Sequence, residues 1–341
     1  MTERLYVIEP GAEDVRAGVL INALTGSMDA GHVAQLVARH LTTSLPVTRV
    51  ATFDADALID YRERRPTMTF EEWRFTDMAE PEIVLDQFRD DEGAPVLLLH
   101  GPEPDLRWQG FTNAVIDLVE RFGVERTVSL HGIPMGVPHT RPTTVLAHAT
   151  DLELIEAQPQ IVGTVQVPGS VSAMLQLRLG QRGREAVGFS ANIPHYLAQS
   201  EFPQGAAELV RQISRNASIA LPVGDLEAAA AEATREIDKQ VAQSGEVQAI
   251  VQALEKQFDT FISGTGRESR ATLMSQPDDI PTADEIGAEL EAFLADQFVQ
   301  GGDVGPDGDS QPQAPAGDDS ATTAPPTQWQ AHDATEPRDE S

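Results

Sequence analysis

Cysteine is absent from this chain of 341 residues. That excludes disulfides, a thiolate nucleophile, iron–sulfur clusters and zinc fingers. Lysine is nearly absent: of 24 basic residues only Lys239 and Lys256 are lysines, which leaves 22 arginines. Both lie in late helical sequence. The first 238 residues therefore hold no P-loop lysine and no kinase-type or Schiff-base lysine. Long apolar runs are missing too; none approaches the ~20 residues of a membrane span. The N-terminal stretch MTERLYVIEP has no apolar signal-peptide core. Positive charge is scarce, since 54 acidic residues against 24 basic ones give a formal charge of −30. Neither a nucleic-acid backbone nor an anionic membrane is expected as a partner. The expectation is a cytoplasmic protein.

What is present alternates. Val19–Ala23 is a compact apolar run, and residues 30–45 carry Val33, Leu36, Val37 and Leu41 at helical spacing. Strands are predicted at 47–53, 95–100, 127–131, 144–149 and 186–191. Helices are predicted at 111–122, 170–179 and 206–218. This order predicts an α/β fold with a mainly parallel sheet and helices on both faces, spanning 1–222. Residues 54–92 read as irregular, with Phe70, Trp73 and Phe75 in a hairpin or lid. A helical hairpin is expected over 223–262, where Val247, Val251, Leu254, Phe258 and Phe261 step by 4, 3, 4 and 3. A polar linker follows at 263–281. An amphipathic helix at 282–299 opens on the capping box Thr282–Glu285. The Gly-, Pro- and Asp-rich segment 300–341 reads as a disordered acidic tail.

Several polar loops follow predicted strands, where ligands bind in open α/β sheets. Catalytic candidates are His139, His195, Asp105 and Glu103. Ligand-binding candidates are Arg141, Thr140, Arg107, Gly26, Asp29, Ser170 and Asn192. Several have two readings. Arg141 could clamp a carboxylate or phosphate, or pair with an Asp or Glu of its own chain. His139 could be a general base or a hydrogen-bonded loop histidine. Glu103 and Asp105 could form an acid/base pair, or hold backbone amides in a rigid Pro-flanked turn. Gly26 and Gly31 could open a helix N-terminus to an anion, or Asp29 could already fill that place. Ser170 opens another helix with the same two readings, and no G-x-S-x-G elbow surrounds it. His32, His40, His148 and His332 stand alone. No HExxH, Ca²⁺ loop or paired helical histidines occur, so no metal and no cofactor is expected.

The stretches LLLHGPEPDLRWQGF (97–111) and LHGIPMGVPHTRP (130–142) resemble the proteasome assembly chaperone family, type-two branch, in its actinobacterial members. VPGS (167–170), ANIPHYL (191–197) and the following FPQGAAELV are similar to later motifs of that family. The resemblance covers about residues 5–262. It implies a phosphorylase/hydrolase-like fold related to purine nucleoside phosphorylases. It also implies homo-oligomers, a trimer being one expected order, and partners such as proteasome subunits. Eukaryotic relatives pair up and guide assembly of the proteasome α-ring; bacterial members have no firmly assigned activity. Some carry a carboxylate–amine ligase label of the ATP-grasp type, which the missing lysines oppose. The ending Arg-Asp-Glu-Ser341 departs from the hydrophobic–Tyr–X ending by which eukaryotic members dock.

Two functional expectations follow. One is a non-enzymatic, chaperone-like interaction protein. The other is a small-ligand hydrolase or phosphorylase-like enzyme using the strand-end crevice. In it Arg141 would bind the anion, His139 or His195 would move protons, and Asp105 would orient one of them.

Overall fold

The computed structural model describes residues 5–26, 29–156 and 164–263. The elements run in chain order β1 (Tyr6–Ile8), β2 (Val19–Thr25), α1 (Val33–Ser44), β3 (Thr48–Phe53), α2 (Ala55–Leu58), β4 (Met68–Glu71), β5 (Arg74–Met78) and β6 (Val84–Arg89). They continue with β7 (Pro95–Pro102), α3 (Trp108–Phe122), β8 (Arg126–Met135), β9 (Val145–Ala149), α4 (Val171–Gln181) and β10 (Glu185–Pro194). Three helices follow: α5 (Pro203–Ala217), α6 (Gly224–Val241) and α7 (Gly245–Ser263).

Eight strands form one sheet in the order β1-β3-β6-β7-β2-β8-β10-β9. The α/β class and the helices on both faces are as the alternating pattern predicts. The sheet is parallel only at its centre: β7, β2, β8 and β10 run together, whereas β1, β3, β6 and β9 pair antiparallel. Part of the difference lies at the far edge, where β9 pairs antiparallel with β10, and part at 84–89, a stretch expected to be irregular. Val84, Leu85 and Phe88 are buried there, and the segment returns to β7 through a tight turn as an antiparallel neighbour.

Side chains alternate across the central strands, so each face has its own core. On one face Ile21, Leu98, Val128 and Phe189 pack against α1 and α5. On the other, Leu20, Leu97 and Leu99 pack against α3 and α4. The apolar spacing of α1 and α3 explains why they lie flat on the sheet. Val33, Leu36, Val37 and Leu41 share one buried stripe, as do Phe111, Val115, Leu118 and Phe122. The expected linker from 264, the helix at 282–299 and the acidic tail at 300–341 fall outside the described residues.

One buried carboxylate ties the sheet to the later helices. Asp90 closes the β6–β7 turn by accepting from the Glu92 and Ala94 amides at 3.1 and 2.7 Å. Its other oxygen accepts from the Ala220 amide at 2.8 Å, in the α5–α6 connection. Removing it would take the shared acceptor from three backbone amides, two of them half-buried. Asp90→Ala is expected to cost about 2–4 kcal/mol in chemical denaturation. The exposed neighbour change Asp91→Ala is expected to stay within about 0.5 kcal/mol. Equal effects of the two would overturn this role for Asp90.

Candidate functional site

The four parallel strands bring their carboxyl ends to one edge, and most of the candidate residues collect there. They fall into separate groups, each engaged by the chain itself.

The loop after β8 holds the α6–α7 hairpin. The His139 side chain is 1% exposed. Its Nδ1 lies 2.6 Å from the Tyr196 hydroxyl, which also accepts the His139 backbone N–H at 2.9 Å. Its Nε2 lies 3.1 Å from Asp238 Oδ1 on α6. This pattern assigns a tautomer: Tyr196 O–H donates to Nδ1, and Nε2–H donates to the carboxylate. Tyr196 is raised above the usual phenol range by burial, with Glu255 and Asp238 adding to the effect. Thr140 Oγ1 donates to Glu255 on α7 at 2.5 Å.

Arg141 makes the strongest contact. Its Nε and Nη2 fork onto the two oxygens of Asp259 at 2.8 and 2.7 Å, and Nη1 reaches Glu255 at 3.3 Å. The hydrogen bonds from Arg141 hold the Asp259 carboxyl below its usual range. Gln204 on α5 donates to the Arg141 carbonyl at 3.0 Å and steadies the loop from behind. The guanidinium fork matches a carboxylate, and the carboxylate it meets is internal. In the sequence, the clamp on a ligand and the pair with an internal acid stood as alternatives; here Arg141 makes the second. His195 lies apart from this network. It is exposed, and its ring packs edge-on against Tyr196 at 5.4 Å.

A second group surrounds the start of α4. Glu103 Oε1 accepts the Val171 backbone N–H at 2.5 Å, and Ser170 Oγ accepts that of Ala173 at 3.1 Å. A carboxylate thus sits on the positive end of α4, where an external anion would otherwise bind. Gly26 makes room for it: a Cβ there would stand 2.0 Å from Glu103 Oε2. Asp105 points elsewhere, accepting the Asp60 amide at 3.0 Å and pairing with Arg64 at 2.9 Å. Glu103 and Asp105 therefore make separate backbone contacts. Arg107 is exposed at the N-cap of α3, in a left-handed conformation.

Asp29 fills the start of α1, accepting from the Ala34 and Gln35 amides at 2.9 and 3.3 Å. Burial pushes its carboxyl up against those hydrogen bonds. Asn192 donates to Thr144 Oγ1 at 2.7 Å across the β9–β10 edge.

Sequence reasoning missed a polar layer beneath α4. Asn22 is buried and donates to Ser129 and Ser172 at 3.1 and 3.0 Å. Ser190 Oγ lies 2.7 Å from His131 Nε2, and His148 stands 6.0 Å from the His131 ring. Gly188 leaves the space for His148, since a Cβ there would meet its ring at 2.0 Å. The signal was present in TVSLH at 127–131, where Thr127, Ser129 and His131 alternate on one face. Ser190 is buried in mid-strand, so the pair has the spacing of an activated hydroxyl without an open approach. Among the described residues, no group of three His, Asp or Glu side chains could hold a metal ion. No described helix is long and apolar enough to cross a membrane.

Together these features define a three-layer α/β/α protein whose strand-end loops are occupied by its own side chains. Residues 23–241 match the PAC2 family, and the chain belongs to that family. It is similar to a Corynebacterium glutamicum protein of unknown function, with 39% identity and a TM-score of 0.73, over 77% of this chain and 100% of that one. It is also similar to a Mycobacterium tuberculosis protein of unknown function, with 45% identity and a TM-score of 0.74, over 80% of this chain and 93% of that one. A third similar structure is a Mycobacterium tuberculosis proteasome-assembly chaperone homologue, with 26% identity and a TM-score of 0.63, over 68% and 99%. No curated protein matches. The resemblance carried by GPEPDLRW and PHTRP holds, and its actinobacterial direction agrees with these neighbours.

Arg141→Ala is expected to release the hairpin while the sheet domain stays folded. The measurement is hydrogen exchange, with protection lost across α6 and α7 and retained in β2, β7 and β8. High salt should shift the wild type in the same direction. Unchanged exchange in α7 would overturn this reading of the loop.

A second prediction concerns acid. Burial, and then the nearby His148 charge, push the His131 imidazolium down to about 4. The unfolded chain takes up that proton near the ordinary value of about 6.5. Native stability should therefore fall as pH drops from about 6.5 towards 4. His131→Gln should lose less stability than the wild type over that window. Parallel stability–pH curves would refute the assignment.

Proposed function

We propose that this chain is a chaperone-like interaction protein, acting through protein contacts in the manner of proteasome assembly chaperones. One observation carries the reading. The residues a small-ligand enzyme would use at the strand ends are engaged internally: Arg141 by Asp259 and Glu255, His139 by Tyr196 and Asp238, and the α4 N-terminus by Glu103. A hydrolase working here would first have to break these contacts.

Membership of the PAC2 family and similarity to a proteasome-assembly chaperone homologue support the same reading. The partners it implies are further copies of this chain and proteasome subunits. The α6–α7 hairpin gives such a protein a presentable element. Only a few of its side chains are buried, among them Leu226, Val251 and Phe258, and its grip on the loop is largely polar. Asp238 and Asp259 at the clasp are about half exposed, so charges on a partner can reach and compete for it.

Affinity purification of the tagged full chain from a proteasome-bearing actinobacterium, after mild crosslinking, tests this. Proteasome α or β subunits are expected in the eluate, with recovery increased by Arg141→Ala. An eluate containing neither type of subunit would overturn the reading.

A further inference from the structure

Helices α3 and α4 cover one face of the sheet. Their inner stripes are apolar: Phe111, Val115, Leu118 and Phe122 from α3, and Val171, Leu175 and Leu179 from α4. Outside that core a cleft of about 210 Å³ opens between them. Thr112 and Asn113 of α3 line it, with Met174, Arg178, Gln181 and the C-cap residue Arg182 from α4. Its volume is that of about seven waters in the liquid, and it lies below the roughly 300–1,000 Å³ of drug-sized sites. The cleft shares no lining residue with the groups at the strand ends.

Its charge sets it apart. Among the described residues that line it none is acidic, in a chain with 54 acidic residues against 24 basic ones. Elsewhere arginines hold carboxylates closely: Arg39 with Glu201, Arg126 with Glu185 and Arg141 with Asp259, at 2.8, 2.8 and 2.7 Å. Arg178 instead bonds a neutral amide, the Gln181 side chain, at 2.9 Å, and Arg182 approaches Glu120 only to 3.8 Å. A guanidinium has five N–H donors, so both side chains keep capacity for a further acceptor.

A second observation is independent of the arginines. Thr112 is 1% exposed, and among the described residues its hydroxyl has no hydrogen-bond partner. Buried hydroxyls are nearly always bonded, because an unpaired one keeps its desolvation penalty. Threonine in a helix has two accessible χ1 rotamers, so an acceptor seated in the cleft can engage it.

We propose that the α3–α4 cleft binds a small organic dianion bearing carboxylate or phosphate groups. The guanidinium fork matches either oxyanion with two parallel N–H···O bonds, and two guanidiniums in one cleft suit two negative charges. The Asn113 amide and the Thr112 hydroxyl add neutral donors, and Met174 offers an adaptable apolar surface to the carbon body. A ligand held by both helices joins α3 to α4 outside their apolar core. The site does not depend on the chaperone-like reading, which concerns the hairpin clasp.

Titration calorimetry of the full chain at low ionic strength tests it. Succinate and glycerol 3-phosphate are the separate probes, and the neutral diamide succinamide is the control. One of the anions is expected to bind with a dissociation constant of about 1 mM or below, and which one binds assigns the carboxylate or phosphate class. Arg178→Gln and Arg182→Gln should each weaken that anion about 10-fold or more, since each removes a charge-assisted contact. Both positions are exposed, so the thermal midpoint without ligand should stay unchanged. Thr112→Val should weaken the anion while leaving that midpoint unchanged or higher, because the hydroxyl it removes has no partner. Binding of neither anion, equal binding of succinamide and succinate, or binding that survives the double change Arg178→Gln with Arg182→Gln would overturn the site.

Discussion

The carboxyl edge of the parallel strands is the constraint on which this structure turns. Four strands end there together, and helices α1, α3 and α4 begin beside them. The edge thus gathers unpaired backbone amides and positive helix ends. In many α/β proteins a ligand answers that demand. Here the chain answers it with its own carboxylates, Asp29 at α1 and Glu103 at α4. Gly26 and Ser170 then have supporting roles: one leaves space for the Glu103 carboxylate, the other bonds an adjacent amide of the same helix.

The charge imbalance shapes what holds the hairpin. The α6–α7 residues that reach the loop after β8 include Asp238, Glu255 and Asp259, so two helices approach with like charges. One arginine serves two of those carboxylates, a geometry a lysine point charge could not reproduce. The third is met by the His139 ring, which is oriented in turn by Tyr196. The Arg141 end of the attachment therefore depends on ionic strength, while at the start of α6 Arg211 pairs with Glu227 and Leu226 joins the core.

The fold was legible where pattern and burial coincide. Apolar runs such as PVLLLH at 95–100 and the helical stripes of α1 and α3 are strong signals because one period explains each. Strand β6 was hidden because VLDQFR alternates weakly and sits among turn-forming residues. Its identity comes from pairing with β7, a non-local contact. Site residues were legible as polar loops at the correct edge, but their partners were not. Nothing local links Arg141 to Asp259, more than a hundred positions away, or Glu103 to Val171. The polar layer under α4 was missed for a related reason. Ser129 and His131 alternate as a solvent-facing strand would, and only the docking of α4 buries Ser129 and brings Ser172 against Asn22.

Two kinds of surface remain once the internal contacts are satisfied, and they differ in energetic character. The hairpin clasp is polar and salt-sensitive, which suits reversible exchange. The β4–β5 ribbon is apolar and aromatic, with Phe70, Trp73 and Phe75 exposed, so what it can gain is desolvation rather than charge pairing.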